Sequence, residues 1–225
     1  MLLEGLPVDV TPSWIRLVRG QYAAENALMY LRAAHWLRIN QVEGDVLEFG
    51  VGSGASFCLI YRYIERTDTT RSRRFLLFDS FTGLPEGRYE DQHPQWTRGA
   101  WAFDQSFVLE RSHRYGVDLA RVILTAGYFE STLMADLAPR LAVKRIALLH
   151  IDCDLYSSTK TALDFVTPYV QDGTVVLLDD YFCYSGNPAR GESAAFREWY
   201  LKNDITAVQW QAYSCHGNSY LLTRQ

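Results

Sequence analysis

A chain of 225 residues with 48% apolar residues suits one α/β domain able to bury a full core. A formal net charge of −4, with no basic run longer than residues 71–74, argues against a phosphate-backbone partner, so no nucleic acid is expected. No stretch reaches the roughly 20 apolar residues needed to span a bilayer, and residues 1–10 lack a charged-then-apolar leader; no membrane partner is expected and the cytoplasm is the expected compartment.

In chain order, Thr11-Pro12 reads as a helix opening, Thr as N-cap and Pro in the first turn. A second helical pattern, rich in Ala, Leu and Tyr, runs over about 22–39, making 1–44 an N-terminal helical extension. Short apolar runs with acidic or glycine ends follow at 45–49, 74–79, 121–125, 145–152 and 174–179, the pattern of parallel strands buried on both faces. Segments 207–212 and 219–223 read as a closing hairpin. The predicted fold is Rossmann-like α/β: seven strands, mostly parallel, the last antiparallel, with helices on both faces, in a single domain spanning 1–225. Residues 80–120 are too long for a simple connection and read as a lid insertion with a helix around 104–113. Helices are also expected from about Ser157 and near Ser193. Cys58, Cys153, Cys183 and Cys215 lie far apart and are expected to be reduced, in or near the core.

The densest signal is the turn after the first strand, where Glu48, Gly50, Gly52 and Gly54 form E-x-G-x-G-x-G, followed by Ser56. Glycines permit a tight turn and close backbone approach to a ligand. The helix N-terminus beyond them favours a carboxylate, such as the methionine end of S-adenosylmethionine; a turn with no ligand is the plain alternative. Asp79 ends the next strand 29 residues after Gly50, where an acid could take ribose hydroxyls. The dinucleotide pattern G-x-G-x-x-G is not met, because the third glycine arrives at 54 and Ala occupies 55. A methyl donor is therefore favoured over a nicotinamide.

EFGVGSG at 48–54, FDSFTGLP at 78–85, GYFEST at 127–132, HIDCDLY at 150–156 and DDY at 179–181 occur in that order. This series, over roughly 45–200, resembles the macrocin O-methyltransferase family, which includes the mycinamicin and novobiocin sugar methyltransferases. The resemblance implies methylation of a sugar hydroxyl on a natural product, with Mg²⁺ assisting. It also implies that Asp79 and Ser80 hold the ribose and that Gly127, Tyr128 and Phe129 border the adenine. It suggests a dimer or larger homo-oligomer, with the N-terminal helices as candidate contacts.

Asp152, Asp179 and Asp180 end the fourth and fifth core strands, which adjacent parallel pairing brings together. Three carboxylates in one cleft repel unless a cation sits among them, and hard oxygen ligands describe a Mg²⁺ site; helix capping is the alternative. Asp179 is the first choice as general base. His150 is the second, against its reading as a satisfied core histidine. Asp154 is expected to cap the helix from Ser157, although Asp152-Cys153-Asp154 also spells the D-x-D of nucleotide-sugar glycosyltransferases. That chemistry is one alternative function. Methylation of a phenolic hydroxyl and a non-catalytic binding fold are the others. Trp96, Trp101 and Phe103 would face the acceptor if the long loop closes over the cleft, or pack their own helix if it does not. Arg190 and Glu192 are expected to be solvent-exposed.

Overall fold

The computed structural model describes residues 12–68 and 70–224; the Thr11 cap lies outside them. The helices are α1 (Pro12–Ile39), α2 (Ala55–Thr67), α3 (Gln105–Tyr115), α4 (Phe129–Thr132), α5 (Leu137–Arg140), α6 (Tyr156–Val166) and α7 (Gly191–Lys202). The strands are β1 (Asp45–Phe49), β2 (Phe75–Asp79), β3 (Val122–Ala126), β4 (Ile146–Ile151), β5 (Val175–Leu178), β6 (Ile205–Tyr213) and β7 (Gly217–Arg224).

Two helices were expected before β1, and among the described residues there is one. Gly20 falls inside α1 with nothing crowding it, so its modest helix penalty is absorbed by the Ala-, Leu- and Arg-rich sequence around it. Met29, Tyr30, Ala33, Ala34 and Leu37 form the buried stripe, at the spacing of one helix face. That stripe joins the core formed by α2 and one face of the sheet. The helix is thus a working part of the core.

The sheet runs β3-β2-β1-β4-β5-β7-β6. Pairing is parallel through β5, and β7 is antiparallel to both its neighbours. Strand alternation divides the interior in two. Leu47, Phe49, Leu76, Phe78 and Leu149 face α6 and α7, whereas Val46, Phe75, Leu77 and Leu148 face α1 and α2. Phe49 and Phe78 stack with ring centroids 4.6 Å apart. The chain order reverses between β1 and β4, so their C-terminal ends open the crevice where ligands bind in such sheets. All four cysteines are free; Cys58 and Cys153 are buried, but Cys215 is exposed, outside the near-core placement expected for it.

Candidate active site

Beyond β1 the chain turns through Gly50 at φ +86°. A Cβ there would lie 1.7 Å from the Asp152 carbonyl oxygen, so the glycine turn and the end of β4 meet backbone to backbone. Asp79 fixes the other side of the turn. Its Oδ2 accepts the amides of Val51 and Gly52, each at 2.7 Å, and its Oδ1 accepts the Phe81 amide at 2.7 Å. The Ser80 hydroxyl donates to the Gly83 carbonyl at 2.7 Å. Gly50, Gly52, Ser56, Asp79, Ser80, Tyr128 and Phe129 all line one cavity of about 790 Å³.

Three expected cofactor contacts do not line that cavity. Glu48 shares a strand face with Val46 and is 1% exposed; its carboxylate accepts the Ser56 hydroxyl behind the turn. Gly54 begins α2 in the left-handed region, where a Cβ would meet Val108 of α3 at 3.3 Å. Gly127, at φ +132°, serves the turn into α4, and a Cβ there would meet Thr132 at 2.7 Å. These are structural glycines.

His150 is also withdrawn from the cavity. It is fully buried opposite Glu48 in the β1–β4 register, 3.4 Å from that carboxylate, and packs edge-on against Tyr30. Neither ring nitrogen has a hydrogen-bond partner. A base must reach the proton it abstracts, so the role does not fall to His150.

Asp152, Asp179 and Asp180 do line the same cavity as the glycine turn. Asp154 joins them and does not cap α6: the N-cap there is Leu155, without a side-chain bond, and Asp154 sits at φ +63°. Glu192 is fully buried under the cluster, where one of its oxygens accepts the Asp180 amide at 3.0 Å and the other has no partner. Its expected exposure was wrong because α7 carries it inward. Burial and then the neighbouring carboxylates raise Asp152, Asp154, Asp180 and Glu192 above the usual carboxylate range. Such an excess of hard anionic oxygens at two strand ends fits a divalent cation of the Mg²⁺ type. The oxygens of the three expected ligands are not drawn into one tight set. Among the described residues, the group of three or more potential ligand side chains with donor atoms all within 4.8 Å of one another is Asp180, Cys183 and His216.

The sequence reading missed Tyr22 and Asn26. From α1, the Tyr22 hydroxyl donates to Asp179 Oδ2 at 2.9 Å and the Asn26 amide points at Oδ1 from 3.5 Å. Only the topology, laying α1 over the end of β5, reveals them. His216, on the β6–β7 turn, was missed for the same reason; its Nδ1 donates to the Asp179 carbonyl at 2.6 Å.

The 80–120 insertion faces the cavity with Trp96, Trp101, Phe103 and His93. Asp91 anchors it, accepting the Ser157 amide at 3.0 Å, the Ser157 hydroxyl at 2.8 Å and the Arg88 amide at 2.8 Å. His93 stacks on Trp96 at 3.9 Å. Arg190 is half-buried, donating to the Gln92 carbonyl at 3.0 Å and lying over the Tyr184 ring.

The family model for macrocin O-methyltransferases matches residues 26–214. The chain belongs to the macrocin O-methyltransferase family. Its curated relatives in this family include a tetracenomycin rhamnosyl 4'-O-methyltransferase from Streptomyces olivaceus, 33% identical over 62% of this chain and 54% of that protein. Another is the mycinamicin III 3''-O-methyltransferase from Micromonospora griseorubida, 30% identical over 62% of this chain and 56% of that protein. The chain therefore spans about half the length of the curated relatives it matches. Among solved structures it is similar to the O-methyltransferase NovP, with a TM-score of 0.74 and 26% identity over 89% of this chain and 80% of that one. The seven-stranded sheet of this family member is thus the O-methyltransferase fold. Among its described residues no helix is long and apolar enough to cross a membrane.

Proposed function

We propose that this family member is an S-adenosylmethionine-dependent O-methyltransferase acting, with Mg²⁺, on a hydroxyl of a sugar carried by a natural product in antibiotic biosynthesis. The observation that carries this reading is the meeting of the glycine turn and the acidic strand ends in one cavity, in contact through Gly50 and Asp152. The relatives named for rhamnosyl and mycinamicin hydroxyl methylation support the sugar.

When bound, S-adenosylmethionine supplies an electrophilic methyl group and Mg²⁺ supplies positive charge beside the acceptor oxygen. Asp152, Asp179 and Asp180 are the residues to hold the cation. A carboxylate has roughly four acceptor sites, and three at Asp79 are taken by amides, so one remains for a ribose hydroxyl, with Ser80 beside it. Gly50, Gly52 and Ser56 border the methionine end, and Tyr128 and Phe129 the adenine. Asp179, steered by Tyr22, accepts the acceptor's proton. Trp96, Trp101 and Phe103 stack on the sugar and, as the lid of residues 80–120, exclude water. Placement of the two reactants alone can contribute roughly 7–11 kcal/mol. The exposed Leu28 and Ile39 of α1 support self-association through that helix, and the cytoplasm is the proposed compartment.

Calorimetric titration with S-adenosylhomocysteine, then with Mg²⁺, tests the reading on the wild type, Asp79→Ala and Asp179→Ala. Binding of the homocysteine product lost only in Asp79→Ala, with metal binding lost in Asp179→Ala, is the expected result. A wild type that ignores the homocysteine product but binds a nucleotide-sugar would overturn it in favour of D-x-D chemistry at Asp152 and Asp154.

A further inference from the structure

We infer that Asp180, Cys183 and His216 form a site for a borderline-soft divalent cation of the zinc type, and that its occupation excludes Mg²⁺ because Asp180 serves both. The second half of this inference rests on Asp180 belonging to the proposed Mg²⁺ site.

The three side chains come from two separate segments, the turn after β5 and the β6–β7 turn, and a carboxylate oxygen, the sulfur and a ring nitrogen lie within 4.8 Å of one another. The Cys183 thiol already donates to Asp180 Oδ1 at 3.0 Å. The ring atom facing Asp180 is His216 Nδ1, 3.7 Å from Oδ1, and it also bonds the Asp179 carbonyl, so it ligates a metal once its proton moves to Nε2 and that bond is given up. One thiolate, one imidazole and one carboxylate make up a zinc donor set, and three protein ligands leave a position open. Sulfur discriminates: Mg²⁺ prefers oxygen and gains nothing from Cys183, whereas Zn²⁺ and Co²⁺ gain a strong ligand. Both Cys183 and His216 line the open cavity, giving an ion a route in. Buried Glu192 lies behind Asp180 with one unpartnered oxygen facing the cluster's interior side. Binding replaces the thiol proton by the metal and releases it to solvent.

Cobalt(II) added to the chelator-treated, full-length protein is the test. A thiolate-to-cobalt charge-transfer band in the near ultraviolet, saturating at one equivalent, is expected in the wild type. The band should vanish in Cys183→Ser, and cobalt affinity should fall about 100-fold or more in His216→Gln, since even outer-shell losses cost 10–100-fold. Excess Mg²⁺ should bleach the band. Absence of the band, or its survival in Cys183→Ser with an unchanged melting profile, overturns the site. A band indifferent to saturating Mg²⁺ overturns the shared carboxylate. Asp152→Asn separates the two readings: it should lose calorimetric Mg²⁺ binding and keep the cobalt band. If the wild type shows the band but binds no Mg²⁺, the Mg²⁺ reading fails and the zinc-type site stands without it.

Discussion

The Tyr22 hydroxyl donates to Oδ2 of Asp179 at 2.9 Å across 157 positions of sequence. Burial, and then the charge of Asp179, push the phenol far above its usual range, so it remains a donor at every working pH. Helix α1 thereby sets the orientation of the proposed base.

Tyr22→Phe removes that one bond and keeps the ring. A hydrogen bond to a charged group contributes roughly 1.5–3 kcal/mol, so kcat should fall about tenfold or more. The calorimetric affinity for S-adenosylhomocysteine should be unchanged, since Tyr22 meets the acidic side of the cavity. A matching loss of cofactor affinity would show that Tyr22 acts through general stability.

Asp91→Ala should separate lid from core. It strips two bonds to Ser157 and one to Arg88, so the segment carrying Trp96 should loosen from α6. Acceptor KM should rise several-fold while cofactor affinity holds, and hydrogen exchange should quicken in residues 86–98. Unchanged exchange there would refute the anchor.

His93 gives the lid a dependence on pH. Burial against Trp96 and Tyr184 lowers its pKa below the usual value. A histidine depressed in the folded state contributes stability that is fully present above about pH 6.5 and is lost as the pH falls through the folded value. Trp fluorescence should therefore report opening only on acidification below pH 6.5. His93→Gln should flatten that transition, and a transition on the alkaline side would contradict the sign.

Gly50→Ala and Gly52→Ala should differ sharply. The first forces a Cβ to 1.7 Å from the Asp152 carbonyl oxygen; the second meets only the Phe103 ring, at 3.4 Å. Both carry left-handed strain of about 1–3 kcal/mol, but Gly50→Ala adds a backbone clash and should lose more than about 4 kcal/mol in urea melts. Equal losses would show that the close approach is unimportant.

Much of this was legible in the chain itself. The seven strands showed because buried parallel strands leave apolar runs with acidic or glycine ends, and Asp152, Asp179 and Asp180 stood at those ends. What stayed hidden depends on which way a side chain faces. Glu48 and Gly50 sit two apart in one motif, yet strand alternation turns Glu48 to the α1 side while the turn carries Gly50 to the cavity. Glu192 reads as a polar helix residue, and only the packing of α7 shows it sealed beneath Asp180. Tyr22, Asn26 and His216 reach Asp179 or its carbonyl through tertiary approach alone, which no local pattern encodes.

The aromatic wall of the cavity is fastened to α6 through Asp91, whereas the glycine turn is locked to β4 by backbone contact at Gly50. These attachments share no residue. Loss of the Asp91 carboxylate would therefore free the segment that carries Trp96 while leaving the glycine turn seated on β4.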